Sequence, residues 1–384
     1  MGLDFQPVIF KGKFIMEKSR RTPSIRGMTK RLPRVGITMG DPAGIGSEIT
    51  AKVLTRDNIG EFCVPIVIGD ADVIRQGFKV IGADPTFEVV HDLEDALEPA
   101  RNYVYDLDNV SLADYSFGRI SAQAGRAAGE SIERAIELAM EKKIDAIVTN
   151  PIHKESFNLG GYGERFPGHT EMLAALTGAK SYCMMLASGN LRVCHVTTHV
   201  SLLDALTRYI TTERIVEVIK LADGVGKQLG FEDPLIGVAG INPHAGEHGL
   251  FGDEEKRIII PAIEKAVELG IKVEGPVPAD TLFSKAKGGW YTVAVAMYHD
   301  QGHIPCKVDG FVYDHETERW SMRGVNVTLG LPIIRTSVDH GTAFGKAGKG
   351  TADRHSLLEA VKFAVDLVRG QPHMGEDHQQ DLAG

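Results

Sequence analysis

The sequence predicts an α/β fold built on a mostly parallel sheet. Two observations carry this reading: short branched-aliphatic runs alternate with stretches of helical periodicity, and three of the runs end in a histidine followed by turn residues. Continuous apolar runs suit strands covered on both faces, as parallel strands are. The first strand is read at Arg34 to Thr38 and the second at Val64 to Ile68. A helix follows from Ala122 to Glu141, with Ala128, Ile132, Ala135, Ile136 and Ala139 on one face, and then a strand from Asp145 to Val148. Further helices are expected at Thr170 to Leu176, Thr212 to Leu229, Glu254 to Leu269 and Ser356 to Val368. The remaining runs are Leu191 to Thr198 before His199, Leu235 to Pro243 before His244, and Thr292 to Tyr298 before His299. Each reads as a buried strand whose C-terminal end presents an imidazole, and in open α/β sheets that edge binds ligands.

A chain of 384 residues that is 43% hydrophobic can bury a large core, and its length favours two or three domains. The net charge of −9 argues against a general nucleic-acid or anionic-membrane partner, while leaving room for a local basic pocket. Cys63, Cys183, Cys194 and Cys306 form no CxxC pair, which suits a reducing cytosol. No apolar stretch approaches the length of a membrane span, and Lys11 and Lys13 interrupt the Val8 to Phe14 region, so no membrane partner and a cytoplasmic location are expected. Residues 1–32 are basic and aperiodic and are expected to be a disordered extension, with Met16 or Met28 as the true start. Residues 373–384 read as a polar tail.

A single histidine at a strand end is commonly scaffolding. Three on the same logic suggest a divalent metal held with open coordination positions, the mark of a catalytic site. Gly40-Asp41-Pro42-Ala43-Gly44-Ile45-Gly46 is a glycine-rich turn from strand to helix, which allows backbone to approach an anionic ligand but departs from the GxGxxG fingerprint. Gly168-His169-Thr170-Glu171 sets a histidine and a hydroxyl at a helix start, and Tyr298-His299-Asp300-Gln301-Gly302-His303 is dense in polar groups directly after an apolar run. Lys307, Arg323 and Arg335 add cationic donors suited to carboxylate or phosphate.

With Val338-Asp339-His340-Gly341-Thr342-Ala343 and the glycine-rich segment after it, a named resemblance emerges. HGTA resembles the adenosine-binding loop of the isocitrate and isopropylmalate dehydrogenases. The ordered set of GDPAGIG at 40, GHTE at 168, TTH at 197, NPHAGE at 242, PADTLF at 278, YHDQG at 298, GVNVTLGLPIIRTS at 324 and DHGTA at 339 is similar to the 4-hydroxythreonine-4-phosphate dehydrogenase family. The resemblance runs from about residue 33 to 370. It implies a three-layer α/β/α fold like that of isocitrate and isopropylmalate dehydrogenase, with two subdomains and the active site in the cleft. Residues 33–150 plus 325–372 would form the cofactor-binding subdomain, and 151–324 the dimerisation and metal/substrate subdomain.

By the same resemblance His199, His244 and His299 are metal ligands, drawn from both subunits of a homodimer, for one divalent ion: zinc, magnesium, manganese or cobalt. His169, Thr170, Lys307, Asn326 and Arg335 match substrate contacts; Asp280 and Asp300 match carboxylates near the metal, and these two with Lys307 are the candidate catalytic residues. Asp339, His340, Gly341, Thr342 and Lys346 match the cofactor loop. The acid that pairs with the adenosine ribose in relatives is missing from Phe344-Gly345-Lys346, so NADP would be tolerated beside NAD. The implied reaction is oxidation of a C3 alcohol by NAD(P), giving a β-keto acid that loses CO2 while the cation stabilises negative charge on the carbonyl oxygen.

Two departures from the vitamin B6 branch concern the substrate. His303 and Ile304 stand where that branch has apolar residues, and Val308 to Arg323 is longer than in its compact members. Both resemble the sister branch that oxidises D-threonate or D-erythronate 4-phosphate. The rival enzyme reading is a dihydrodiol dehydrogenase acting on an aromatic-derived carboxylate. The rival of another class, a non-catalytic ligand-binding relative, would be favoured by broken histidines, and they are intact.

Overall fold

The computed structural model describes residues 31–93, 97–315 and 319–371. The expected N-terminal extension, but for its last two residues, and the C-terminal tail lie outside the described residues. Strands β1 (Arg34–Thr38), β2 (Val64–Gly69), β3 (Phe87–Val90), β4 (Asn102–Asp106) and β5 (Ala146–Thr149) are interleaved with helices α1 (Gly46–Arg56), α2 (Ala71–Val80) and α3 (Ala122–Met140). Next come α4 (Lys154–Leu159), α5 (His169–Thr177), the hairpin β6 (Cys183–Ser188) and β7 (Leu191–His195), α6 (Leu202–Asp204) and α7 (Thr212–Gln228). They lead to β8 (Leu235–Ala239), α8 (Ile260–Glu268), β9 (Lys272–Val277), α9 (Ala279–Lys287), β10 (Val293–Ala296) and α10 (His299–Gly310). The chain closes through the separate hairpin β11 (Phe311–Asp314) and β12 (Arg319–Met322), then β13 (Val325–Leu329), β14 (Ile334–Val338) and α11 (His355–Arg369).

Twelve strands form one sheet in the order β3-β4-β2-β1-β5-β14-β13-β6-β7-β10-β8-β9. The expected parallel character holds from β3 to β14 and again from β7 to β9. Between these blocks β13 is antiparallel to both its neighbours, and β6 is antiparallel to β7. The C-terminal ends of β7, β10 and β8 therefore meet at one edge of the sheet, while those of β1, β5 and β14 lie at the opposite edge. The three histidine-ended runs are shorter as strands than expected, stopping at His195, Ala239 and Ala296. The apolar residues beyond them leave the ladder and pack under the loops.

Alternation along each strand sends neighbouring side chains to opposite faces. On one face Val67, Val148, Val327, Cys194 and Val295 share a single core with α1, α2, α7, α8 and α11. The other face is split. Ile66, Ile68 and Ile147 pack with α3 and α5, whereas Leu186, Val193, Ala294 and Ala296 pack with α9 and α10. On that face β5, β14 and β13 offer Thr149, Arg335, Asn326 and Thr328, a polar strip between two apolar cores. The cleft of this three-layer fold lies over that strip.

Candidate active site

The histidine end of the site is built by stitching strand ends together. The Val196 N–H donates to Ala296 O (2.8 Å), and Thr197 Oγ1 donates to Met297 O (3.0 Å), tying β7 to β10. Buried Gln301 accepts from the Met297 N–H (2.7 Å) and donates to Gly240 O (2.7 Å), tying β10 to β8. These bonds account for the Thr197 and Gln301 positions in the TTH and YHDQG motifs. They bring the His199 and His299 rings to 6.1 Å between centroids. Asp300 Oδ1 lies 2.6 Å from His299 Nδ1, so the carboxylate holds the Nδ1–H tautomer and leaves Nε2 free to act as a ligand. Burial pushes the His199 pKa down, and Lys154 of α4, across the cleft, pushes the same way, so the imidazole stays neutral.

His244 does not join the pair within one chain: among the described residues no cluster of three His, Cys, Asp or Glu side chains assembles a metal site. It stands exposed on the turn after β8, its ring 6.1 Å from that of Phe251. Residues His244 to His248 all have positive φ, from 39° to 79°. For the four that are not glycine this conformation costs roughly 1–2 kcal/mol each, so the surrounding structure must impose it. Asp280, at the start of α9, is exposed.

Over the polar strip, Arg335 is buried and donates to Thr328 Oγ1 (2.9 Å) and Thr149 Oγ1 (2.6 Å), while its Nε has no partner. Burial lowers its pKa to about 9, against which Glu171 of α5 acts. Nearby, burial lowers the His169 pKa to about 3, with Arg335 adding to it, so this imidazole is neutral and its Nε2 is unpartnered. Asn326 Oδ1 is likewise buried and unpartnered. His169 and Thr170 open α5, whose N-cap Gly168 offers no side-chain acceptor to the first N–H groups. The strip thus gathers a cation, a helix N-terminus and orphaned polar atoms of both kinds, a set suited to an anion that also carries hydroxyls.

Lys307 stands apart from Arg335, for its Nζ donates to Asp339 Oδ2 (2.6 Å) and Asp339 O (2.9 Å) at the end of β14. Burial raises the Asp339 carboxyl, and the Lys307 charge opposes that. His340 Nε2 is buried without a partner, and Lys346 is exposed. Thr342 O accepts from the Ile45 N–H (3.1 Å), and Phe344 stacks on His153 at 4.6 Å, so the HGTA loop closes over the GDPAGIG turn. The glycines of that turn do not open it to a ligand as expected. A Cβ on Gly40 would lie 2.6 Å from Pro151 O, one on Gly46 2.4 Å from Met39 O, and one on Gly44 3.1 Å from Thr342 Cβ. They are there because protein packs against them.

Residues 299, 303 and 307 form one stripe of α10 facing the cleft, running from the histidine pair to the Asp339 carboxylate. His303 stacks on His299 with centroids 3.6 Å apart, and its Nδ1 lies 3.1 Å from the Nε2 of His195. His195 is buried at the end of β7, its Nδ1 3.3 Å from Met184 O, and α10 can approach it because position 302 is glycine. Neither His195 nor His303 was among the candidate ligands; the spacing of 299, 303 and 307 was the available signal. Burial pushes the His195 pKa down to about 3, with His303 as the next cause. The unfolded chain therefore takes up this proton first. Stability from neutral His195 is complete above about pH 6.5 and falls below it by roughly 1.4 kcal/mol per pH unit. Urea unfolding at pH 7, 6 and 5 should show that loss together with the one from His169, and His195→Leu should lessen the slope by its own share; an unchanged slope in the variant would clear His195.

Comparisons with known proteins show what this chain is similar to. A D-threonate 4-phosphate dehydrogenase of Cupriavidus necator is 47% identical over 89% of this chain and 99% of its own length. The crystal structure of a 4-hydroxythreonine-4-phosphate dehydrogenase from Klebsiella pneumoniae superposes with a TM-score of 0.78 at 40% identity, covering 89% of this chain and 100% of that one. A terephthalate 1,2-cis-dihydrodiol dehydrogenase from Burkholderia xenovorans is more distant, at 28% identity and a TM-score of 0.61 over 88% of this chain and 98% of its own. The protein is an NAD(P)-dependent dehydrogenase. Residues 61–364 match the family described as pyridoxal phosphate biosynthetic protein PdxA, and the chain belongs to that family.

Proposed function

We propose that the protein oxidises and decarboxylates a 4-phosphorylated 3-hydroxy acid, with D-threonate or D-erythronate 4-phosphate preferred over 4-hydroxythreonine 4-phosphate. The observation that carries this is Arg335, a buried cation without an ion pair among the described residues, beside the unpartnered Nε2 of His169 and the start of α5. A buried charge is costly unless something neutralises it, and an anionic substrate would do so. Relatives between 41% and 48% identical carry the D-threonate name, which supports that branch.

The donor set suits a divalent cation, since burial keeps the His199 imidazole neutral and His299 is oriented by a carboxylate. Held by His199, His244 and His299, such an ion (zinc, magnesium, manganese or cobalt) would supply a Lewis acid, and NAD or NADP a hydride acceptor. Arg335, His169 and Thr170 bind and orient the substrate's anionic groups, and Asn326 Oδ1 accepts from a hydroxyl. Lys307, hydrogen-bonded to Asp339, holds a proton at the boundary of the substrate and cofactor ends. Asp300 orients His299, and Asp280 supplies a further carboxylate at the rim. Asp339, His340, Gly341 and Thr342 border the cofactor. Lys346 is exposed, so a contact with a 2′-phosphate would add only about 0–1 kcal/mol, and both cofactors are accommodated.

We assign the division into a cofactor-binding half (33–150 plus 325–372) and a dimerisation and metal half (151–324) on the sheet order. A homodimer would complete the metal site: Leu203, 72% exposed, follows His199, and Val308, 76% exposed, lies on α10 beside the histidine stripe. No helix among the described residues is long and apolar enough to cross a membrane, and the four buried cysteines are free, in keeping with a reducing cytoplasm. The test is a panel of phosphorylated four-carbon acids assayed with NAD and NADP, with and without chelator. D-Threonate 4-phosphate should lead, and its dephosphorylated form should lose at least about 100-fold in kcat/KM, because binding energy remote from C3 also orients C3. Equal efficiency on an aromatic cis-dihydrodiol would establish the second reading, which the Burkholderia xenovorans relative favours.

A further inference from the structure

The left-handed turn that carries His244 has an identifiable anchor. Glu255, 3% exposed, sits on the π-helical turn Glu255–Ile259 that leads into α8. Its Oε1 accepts from the N–H groups of Ile241 and Asn242, both at 2.7 Å, and its Oε2 accepts from Asn242 Nδ2 at 2.9 Å. One carboxylate thus satisfies the backbone at the point where the chain leaves β8 and enters the turn. Burial alone would raise its pKa, but these bonds outweigh burial and keep it ionised. The turn wraps the carboxylate closely: a Cβ on Gly246 would come within 2.6 Å of Oε2, and one on Gly240 within 3.2 Å of Oε1. Two neighbours reinforce the anchor, for Glu254 Oε2 accepts from Asn242 Nδ2 (2.7 Å) and Lys256 Nζ donates to His248 O. The anchor sits at the base of a turn in which residues 244–249 all hold positive φ.

We propose that Glu255 is a positioning residue: by binding the Ile241 and Asn242 amides it holds residues 244–248 in the left-handed conformation that presents His244 to the metal site. The physical logic is preorganisation. A ligand on a loose turn must be ordered when the ion binds, whereas one on a turn already fixed by a buried carboxylate is not, so the affinity is higher. The proposal rests on reading His244 as a metal ligand. Its test therefore needs one readout that depends on the metal and one that does not.

The full-length chain as wild type, Glu255→Ala, Glu255→Gln and His244→Ala is compared by hydrogen exchange over residues 240–250 and by calorimetric titration with Mn2+. In Glu255→Ala the Ile241 and Asn242 amides should exchange at least tenfold faster, and Mn2+ affinity should fall about 10–100-fold, as for loss of other groups that orient ligands. Glu255→Gln should recover part of both, because its amide oxygen can still accept from the two N–H groups while its NH2 faces Asn242. His244→Ala should lose Mn2+ affinity with the two amides still protected. Unchanged protection in Glu255→Ala, or lost protection with wild-type Mn2+ affinity, overturns the positioning role. If His244→Ala binds Mn2+ like the wild type, the ligand assignment itself fails, and the exchange data still decide whether Glu255 anchors the turn.

Discussion

Replacing His299 with alanine should lower turnover by more than about 100-fold and abolish retention of a divalent ion, exceeding the 10–100-fold cost of losing groups that merely orient ligands. The ring is placed by three contacts that no neighbour can supply in its absence: Asp300 at Nδ1, the His303 ring stacked on its face, and the start of α10 behind it. His199→Ala should behave alike, since its neutral imidazole lies one ring away. Neither side chain belongs to a main core, so both variants should unfold near the wild-type midpoint. Metal content by mass spectrometry after dialysis, together with turnover, checks this. Full activity of either variant after chelation would show that these imidazoles hold no catalytic ion.

The second large effect is expected at Arg335. Arg335→Met removes the buried cation and should cut kcat/KM on the phosphorylated acid by roughly 10²–10³, the 2–5 kcal/mol typical of truncating one partner of a buried charged pair. The effect on the dephosphorylated acid should be much smaller. Arg335→Lys keeps the charge but loses the planar fork that reaches Thr149 and Thr328 together, so it should recover only part of the activity. Efficiencies of the three proteins on both acids give the answer. Wild-type efficiency of Arg335→Met on the phosphorylated acid would remove this residue from the substrate site.

The candidate residues of the site were named from the sequence; how they are arranged was not legible there. Helical periodicity located α3, α7 and α11 to within a residue or two at each end, because their buried faces recur at the helical period. The histidine-ended runs overshot their strands. Val196, Thr197 and Met297 are apolar or small and buried, and burial looks the same in sequence whether a residue pairs in a sheet or packs beneath a loop. The hairpin β6–β7 was missed, although its two-residue Gly189-Asn190 turn is a hairpin signal. The GDPAGIG glycines were read correctly as a need for space and incorrectly as to what fills it, since Pro151, Met39 and Thr342 come from elsewhere in the chain or from across the turn.

By itself the sequence determined the α/β class and the family, and it singled out the candidate side chains for the chemistry, because periodicity and motif order are properties of neighbouring residues. Only the tertiary structure decided that β13 runs against its neighbours, that the polar strip splits one face of the core in two, and that Arg335 lies buried beside His169 while Lys307 is engaged by Asp339. It alone placed His195 behind His303, and Glu255 beneath the turn that carries His244. Those relations join residues far apart in the chain, and they are set by which strand lies beside which and by what space a missing Cβ leaves. No local pattern encodes that.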